Sequence, residues 1–313
     1  MGIGPTRGWL CVTGALVLAL AACKKDRSSG DGAEKASASA KFLPEGSRGM
    51  AVLRVDKLLS SPLFGTEPFR SQIAAAKSDG DFKVLIDAGI DPFSNVDVAM
   101  LAGDPETHKL VAVVSGSFDA EKAAEALNAA VRNFSAIEDR HKRTAAAVAN
   151  GTVILGTREA VESAKAGKGI GGSPELEKLV ARLDKSKTMY GTIAVPPSML
   201  RGAPDPNLQN LKGVTVSAGV GDGVDLEAAG LFDSEETATA LKQTAERFLP
   251  MAKGRVPDAF LDAISLRTSG PQVQVSLSLP ADALGGDNAE LIEDGVRELR
   301  DLFEAIIKWL TLT

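Results

Sequence analysis

Apolar and polar residues alternate in short runs between residues 42 and 280, and these runs predict strands. Residues 50–55 combine small, apolar and β-branched side chains around one charged residue, Arg54, which is a composition typical of a strand. Similar runs follow, most of them bounded by turn-forming residues. The predicted strands are 50–55, 96–101, 110–115, 144–149, 152–155, 189–195, 214–218, 224–229, 263–267 and 272–279.

Apolar residues three or four positions apart predict helices between these strands. Asp56 begins the first helical pattern, which prolines interrupt before it continues towards Ala88. Asp119 is placed to cap a second helix, and Asp233 with Glu236 forms a capping box for a later one. The buried face of that later helix is predicted to carry Ala238, Leu241, Ala245 and Phe248, and shorter helices are predicted at 159–166 and 175–183.

Turn residues join neighbouring strands into hairpins. Asn150-Gly151 separates two apolar runs and is the dipeptide best suited to a type I′ turn, because both central residues need positive φ. A polar loop containing Asp104-Pro105-Glu106 and the turn Gly221-Asp222-Gly223 join two further pairs. The sequence therefore predicts mainly antiparallel pairing.

The order of predicted elements occurs twice along the chain. Gly116-Ser117-Phe118-Asp119 and Gly230-Leu231-Phe232-Asp233 each follow a hairpin and precede a helix. This similarity predicts an α+β protein of two tandem β-α-β-β-α-β-β units, residues 42–166 and 175–313, joined by the glycine-rich residues 167–174. Each unit is expected to have helices on one sheet face. The other faces would either cover each other or stay open, and an open face or the seam is the expected ligand site.

The C-terminal residues 287–310 predict an amphipathic helix. Asp287 can cap it, with Glu290 completing the box, and its charged residues exclude a position inside a membrane. Two alternatives remain for this helix: packing on the second unit's sheet and coiled-coil pairing. Its apolar stripe is wider than a coiled-coil seam, which favours packing on the sheet. The seam residues are Ile292, Val296, Leu299, Phe303, Ile306 and Leu310.

The N-terminus has the pattern of an export signal. Arg7 precedes an apolar run, residues 9–20, that is short for a membrane span. The next residues, Leu20-Ala21-Ala22-Cys23, resemble the lipobox of bacterial lipoproteins. This resemblance implies that residues 1–22 are removed and that Cys23 carries the acyl chains. The alternatives are an ordinary cleaved signal with a chance cysteine, or an uncleaved anchor.

Residues 23–41 are predicted to be a disordered tether, because none of residues 24–40 has an apolar side chain larger than that of alanine. As a flexible coil this segment would reach about 20–25 Å. Lys24 and Lys25 would lie near the headgroups. The expected location is the cell envelope, with the body anchored on the periplasmic face of the outer membrane.

Charge and cysteine content exclude several classes of function. The chain carries a formal charge of −6, which disfavours nucleic-acid binding. Of its two cysteines, Cys11 would leave with the signal and Cys23 would be acylated, so neither a disulfide nor a thiol nucleophile is expected. Stability is expected to come from packing alone.

The familiar motifs of catalysis and metal binding do not occur in the sequence. The stretch 167–172 follows a predicted helix, which is the wrong context for a phosphate loop. His108 and His141 lie in charged stretches typical of solvated loops, and Asp79-Gly80-Asp81 and the Asp222 region fit turns better than calcium loops. No catalytic residue, cofactor or metal ligand is therefore predicted, and a carboxylate hydrolase is the weakest hypothesis.

Residues 43–46 (Leu-Pro-Glu-Gly) and 51–56 (Ala-Val-Leu-Arg-Val-Asp) resemble the start of uncharacterised exported bacterial proteins, a resemblance that implies no known activity. We expect a binding or scaffolding protein rather than an enzyme. Its partners would be the membrane, through the acyl chains, and another envelope protein. The alternative is a periplasmic carrier that holds an amphipathic small molecule in a groove between the sheets.

Overall fold

The computed structural model describes residues 29–62, 80–104, 106–107, 109–134, 144–167, 169, 173–200, 206–252 and 261–281. These residues form ten strands and seven α-helices. The strands are β1 (Gly49–Arg54), β2 (Val96–Asp104), β3 (Lys109–Gly116), β4 (Thr144–Ala149), β5 (Thr152–Thr157), β6 (Met189–Ala194), β7 (Leu211–Val220), β8 (Gly223–Phe232), β9 (Ile264–Ser269) and β10 (Gln272–Pro280). The helices are α1 (Ser29–Ser39), α2 (Val55–Leu59), α3 (Gly80–Asp87), α4 (Ala120–Phe134), α5 (Arg158–Lys165), α6 (Pro174–Val180) and α7 (Glu235–Phe248).

All ten strands belong to one antiparallel sheet, in the order β4-β5-β3-β2-β1-β6-β7-β8-β10-β9. The α+β class is therefore confirmed. β1 and β6 pair at the centre of the sheet, with Ala51 opposite Gly191. The two halves of the chain consequently lie edge to edge, so the alternative in which their sheets cover each other is wrong.

Helices cover both faces of the first half of the sheet. Val52 and Leu53 are neighbours in β1 and both are buried, although successive residues of a strand point to opposite faces. One core contains Leu53 with apolar residues of α2 and α4. The other contains Val52 with residues of α1, α5 and α6. The expectation of helices on one face is therefore wrong here, because the strands are apolar on both sides.

The second half of the sheet follows the expected alternation more closely. In β8, Val224 is buried and Asp225 is exposed, and Leu226 is half-buried next to the exposed Glu227. Such alternation is typical of an antiparallel sheet with one solvated face. Among the described helices, α7 packs on the apolar side, where Phe232, Ala238 and Val273 form a small core.

The segment predicted to be a tether is helical over Ser29–Ser39. Ala36 is buried in the second core, and Phe42 and Leu43 follow in the same cluster. The prediction of disorder is therefore wrong for residues 29–41. Small residues allow the α1 backbone to approach the sheet closely, so a helix without large apolar side chains still buries one side.

Local turn and cap signals are mostly confirmed. Asn150 and Gly151 have φ values of 51° and 71°, as the type I′ turn requires. The Asp119 carboxylate accepts from the Lys122 N–H at 3.2 Å. At α7 the prediction is one residue early, because Ser234 rather than Asp233 is the N-cap and accepts from the Thr237 N–H.

Other predictions differ from the structure or lie outside the described residues. Ala238 is fully buried, but Phe248 at the end of α7 is 61% exposed, so its predicted burial is wrong. Residues 1–28, including Cys23, and residues 282–313 lie outside the described part of the chain.

Candidate functional site

A buried ion pair joins the end of β1 to the start of α2. Arg54 Nε donates to Asp56 Oδ1 at 3.0 Å and Nη2 donates to Oδ2 at 2.8 Å. Their side chains are only 5% and 4% exposed. The hydrogen bond that Arg54 donates to Asp56 raises the pKa of Arg54, and the carboxylate charge adds to this rise, whereas burial opposes it. The guanidinium is thus a fixed positive charge within the fold.

Tyr190 lies beside this pair on β6. Burial raises the pKa of its phenol, and the positive charge of Arg54 partly opposes that rise. Tyr190 belongs to the second core with Val52, the residue opposite it in β1. The phenol therefore remains neutral throughout the physiological pH range.

Helix α1 covers this charged cluster. A Cβ atom at Gly32 would lie 2.2 Å from Asp56 Oδ2, so only glycine permits the observed approach. One turn further, Lys35 forms an ion pair with Asp97. Ser39 Oγ lies 3.2 Å from Ser115 Oγ. The cluster therefore combines two ion pairs and a hydroxyl contact beneath a single helix.

The hydroxyl contact continues into the sheet. Ser115 Oγ lies 3.1 Å from Thr152 Oγ1, and all three hydroxyl residues are buried. The charges beneath α1 are paired, and the hydroxyl groups contact one another rather than a carboxylate or a base. This arrangement attaches α1 to the sheet, and we assign it a structural role.

The solvated face of the second half contains a shallow depression of about 240 Å³. Charged and hydroxyl residues make up most of its lining, together with Leu226 and Leu277, and Ser276 and Ser278 lie on β10 opposite Glu227 and Asp225 of β8. Lys187 supplies a positive charge at its rim. Such a lining suits polar solutes or water, and it does not match the apolar groove that a carrier of amphipathic molecules needs.

The two edge strands of the sheet, β4 and β9, differ in whether their outward backbone groups have hydrogen-bond partners. At β4, Asn128 Nδ2 donates to the Ala146 carbonyl at 2.8 Å, and the Ala146 N–H donates to Asn128 Oδ1 at 2.9 Å. Ala149 forms a hydrogen-bonded pair with Thr152 at the turn, and every second residue of β4 from there forms such a pair with β5. Ala146 is not one of these residues, so its N–H and C=O groups point away from β5. The side-chain amide thus occupies the position that another strand would take.

The edge at β9 is open within the described residues. Its Ser269 pairs with Gln272 across a two-residue turn, so Ile264, Leu266 and Thr268 direct their N–H and C=O groups away from β10. No hydrogen bond of the described chain reaches these outward groups. Arg267 lies exposed between them. An unpaired row of this kind is a template for strand addition.

The remaining predicted positions add no site. Cys23, His108 and His141 lie outside the described residues. Gly167, with φ of 70°, lies two residues beyond the end of α5, and Pro174 begins α6. No phosphate-binding turn is evident in the described part of that stretch. Asp222 lies in the turn between β7 and β8, as predicted.

The described residues contain neither a cluster of metal ligands nor a membrane-spanning helix. No group of three or more His, Cys, Asp or Glu side chains there could hold a metal ion. None of the helices in this part of the chain has the length and apolarity needed to span a membrane.

Some of these residues can be identified from the sequence, and others cannot. A single arginine in an apolar strand drew attention to Arg54, and Asp56 was identified as the start of a helix. Asn128 was missed because an asparagine on a helix surface has no pattern that identifies its partner. Its partner, Ala146 of the edge strand β4, is 18 residues away in the sequence, and the two residues meet only in the folded protein.

No family model matches the chain, and a search of curated proteins finds no match either.

Proposed function

We propose that this protein is a lipid-anchored cell-envelope protein that acts as a binding or scaffolding module without catalytic activity. The observation that carries the proposal is the open β9 edge, since its outward backbone groups have no partner in the described chain. The opposite edge is blocked by Asn128. Blocking one edge and leaving the other open suits a protein that accepts a strand at a single place.

The proposed anchor is Cys23, inserted in the periplasmic face of the outer membrane. Because α1 begins at Ser29, only residues 24–28 would separate the anchor from the first helix of the folded body. Their full extension is about 17 Å. This reach is shorter than that of the longer predicted tether, and it would hold the body close to the headgroups.

The anchor is tested by the substitution Cys23→Ser. Acyl chains contribute about 0.8 kcal/mol for each buried CH₂, so the variant should leave the membrane fraction and take up no labelled fatty acid. Lys24→Ala, which keeps the thiol, serves as the matched control and should remain acylated. Acylation of the Cys23→Ser variant would contradict the assignment.

We further propose that the body arose from two tandem units. Counted outward from the centre of the sheet, the strand order is β1-β2-β3-β5-β4 in the first half and β6-β7-β8-β10-β9 in the second. In both halves the first three strands follow chain order and the last two are exchanged, and this shared order supports the proposal. The helices differ between the two halves, so the evidence for a duplication comes from the strands alone. Residues 42–166 and 175–285 should therefore superpose strand for strand. Different elements beginning at Phe118 and Phe232 would contradict the duplication.

Residues 287–310 are proposed to form a helix on the apolar face of the second half. Within the described residues, Leu226 and Leu277 are half-buried on that face and Val275 is 38% exposed. The chain reaches Ala281 beside the β7–β8 turn, where the Ala281 N–H donates to the Asp222 carbonyl at 3.0 Å. From there a helix of that length spans about 36 Å and can follow the strands along the face.

The alternative is a carrier of an amphipathic small molecule, and it has weaker support because the described strands form one sheet and leave no groove between two sheets. It requires a contiguous apolar groove, whereas the described depression carries charges of both signs. Saturable binding of a fluorescent fatty acid by the purified protein would favour the carrier.

The binding function is tested by a photo-reactive amino acid placed at Thr268 on the open edge, in the full chain in its membrane. The matched control places it at Val148, on the blocked edge. Covalent adducts from position 268 in clear excess over position 148 are expected. Equal yields, or no adduct from position 268, would overturn the proposed binding edge.

A further inference from the structure

The outward face of β9 has a definite register. The Phe232 N–H donates to the Pro271 carbonyl at 2.8 Å, so the odd-numbered residues of β10 bond to β8 and the even-numbered ones bond to β9. By the pairing of β10 with β9, Ile264, Leu266 and Thr268 then face outward. A strand added here must bond to these three residues.

We propose that the occupant is β9 of a second copy of this chain, paired antiparallel about Leu266, so that two ten-stranded sheets become continuous. The inference rests on the proposed binding function, because it names the partner of the same edge. It makes the protein a symmetric scaffold with one isologous interface.

Side-chain pairing favours this register. With Leu266 opposite the partner's Leu266, Ile264 lies opposite the partner's Thr268 and Ser265 lies opposite the partner's Arg267. Pairing about Arg267 would instead place two guanidinium groups face to face. Like charges directly opposite each other destabilise a sheet. Within the described residues Arg267 forms no ion pair, so no carboxylate of that part of the chain would screen the repulsion.

The two-fold axis of this pairing is normal to the sheet and keeps equivalent faces on the same side. Leu266 lies across from Val275 of β10, and Val275 is 38% exposed. The apolar faces of both copies therefore meet at the junction. Both α1 helices lie on the other face, so both Cys23 anchors can enter one membrane. Attachment to one surface raises the effective concentration for pairing.

The blocked edge explains why the assembly ends at two copies. Asn128 satisfies both backbone groups of Ala146, so β4 cannot pair with another β4 or β9 without displacing this amide. If β4 were also open, pairing of β4 with the β4 of another dimer would extend the sheet without limit. The two edges together therefore specify a closed dimer.

Disulfide trapping tests the register in the full chain in its membrane. Leu266→Cys places two thiols on the two-fold axis, at about 5.5 Å between Cα atoms. The matched control Thr268→Cys places them about 14 Å apart, since each lies opposite position 264. A disulfide requires less than about 7 Å. The unsubstituted chain reports any crosslinking through Cys11 or Cys23.

We expect a disulfide-linked dimer from Leu266→Cys, with at least about a tenfold lower yield from Thr268→Cys. Equal yields, or none from position 266, would overturn the inference. If position 266 gives no dimer while the photo-reactive group at Thr268 still captures another protein, the binding function stands and the second copy is wrong. If neither experiment gives an adduct, both proposals fail.

A backbone variant gives an independent measurement. Thr268→Pro removes an outward N–H but leaves the β9–β10 ladder intact, because that N–H does not face β10. The detergent-extracted protein should shift from dimer to monomer by light scattering, whereas Thr268→Ala should remain dimeric. A dimer that persists with the proline variant would contradict pairing through β9.

Discussion

The side-chain amide of Asn128 makes two hydrogen bonds to the backbone of Ala146, at 2.8 and 2.9 Å, and so completes an edge strand that has no neighbour on that side within the described residues. The donor and acceptor of the amide match the acceptor and donor of the strand. Edge strands are otherwise templates for unwanted pairing, and natural proteins protect them in specific ways. Here a single residue of α4 provides that protection.

We predict that Asn128→Ala destabilises the protein by about 1–3 kcal/mol, because two backbone groups beside a buried side chain lose their partners. Hydrogen exchange of the Ala146 amide should accelerate, and the variant should aggregate more readily. Glu125→Ala, an exposed position on the same helix, should change stability by less than about 0.5 kcal/mol. Urea denaturation with amide exchange measures both effects, and an unchanged Ala146 exchange rate would contradict the role.

Because Gly32 lies close to Asp56, we predict that alanine at position 32 destabilises α1, although alanine has the higher helix propensity. Alanine normally stabilises a helix relative to glycine by about 1 kcal/mol. At position 32, however, its Cβ would lie 2.2 Å from the Asp56 carboxylate, so Gly32→Ala should displace α1. Trypsin should then cleave faster at Lys35 and Lys41. Ser37→Ala, on the exposed side of α1, should leave cleavage unchanged; faster cleavage in both variants would indicate a general effect on helix stability.

Burial of Tyr190 predicts a loss of stability at alkaline pH. The folded pKa is raised above the ordinary value of about 10, so the fold favours the protonated phenol. Its contribution is fully present below the unfolded pKa and is lost as pH rises through the folded pKa. Tyr190→Phe should therefore weaken the decline in unfolding free energy above pH about 10. Parallel alkaline curves for the two proteins would contradict this.

Deletion of residues 287–313 tests the proposed cover of the second half. Burial of half a dozen apolar side chains at about 1.5–3 kcal/mol each would be comparable with a domain's net stability. The truncated protein should therefore melt at a lower temperature and expose the Val275 region to hydrophobic dyes. If the melting temperature is unchanged and a dimer becomes a monomer, residues 287–313 form the oligomer contact instead.

Elements with local sequence signals can be predicted without the tertiary structure. Asn150-Gly151 specifies a tight turn because two adjacent residues adopt positive φ, and Asp119 caps α4 because the acceptor and the N–H are three residues apart. These relationships depend on a few neighbouring residues. They could be predicted without knowing what the elements pack against, and so could the α+β class that follows from the order of strands and helices.

Contacts between distant segments of the chain could not be predicted in this way. Gly32 and Ala36 indicate disorder when composition alone is considered, yet their small size allows α1 to pack over Asp56. Similarly, Asn128 and Ala146 meet because α4 folds back over β4. Close approach and hydrogen bonding between distant segments depend on backbone placement, and residue type alone does not encode that placement.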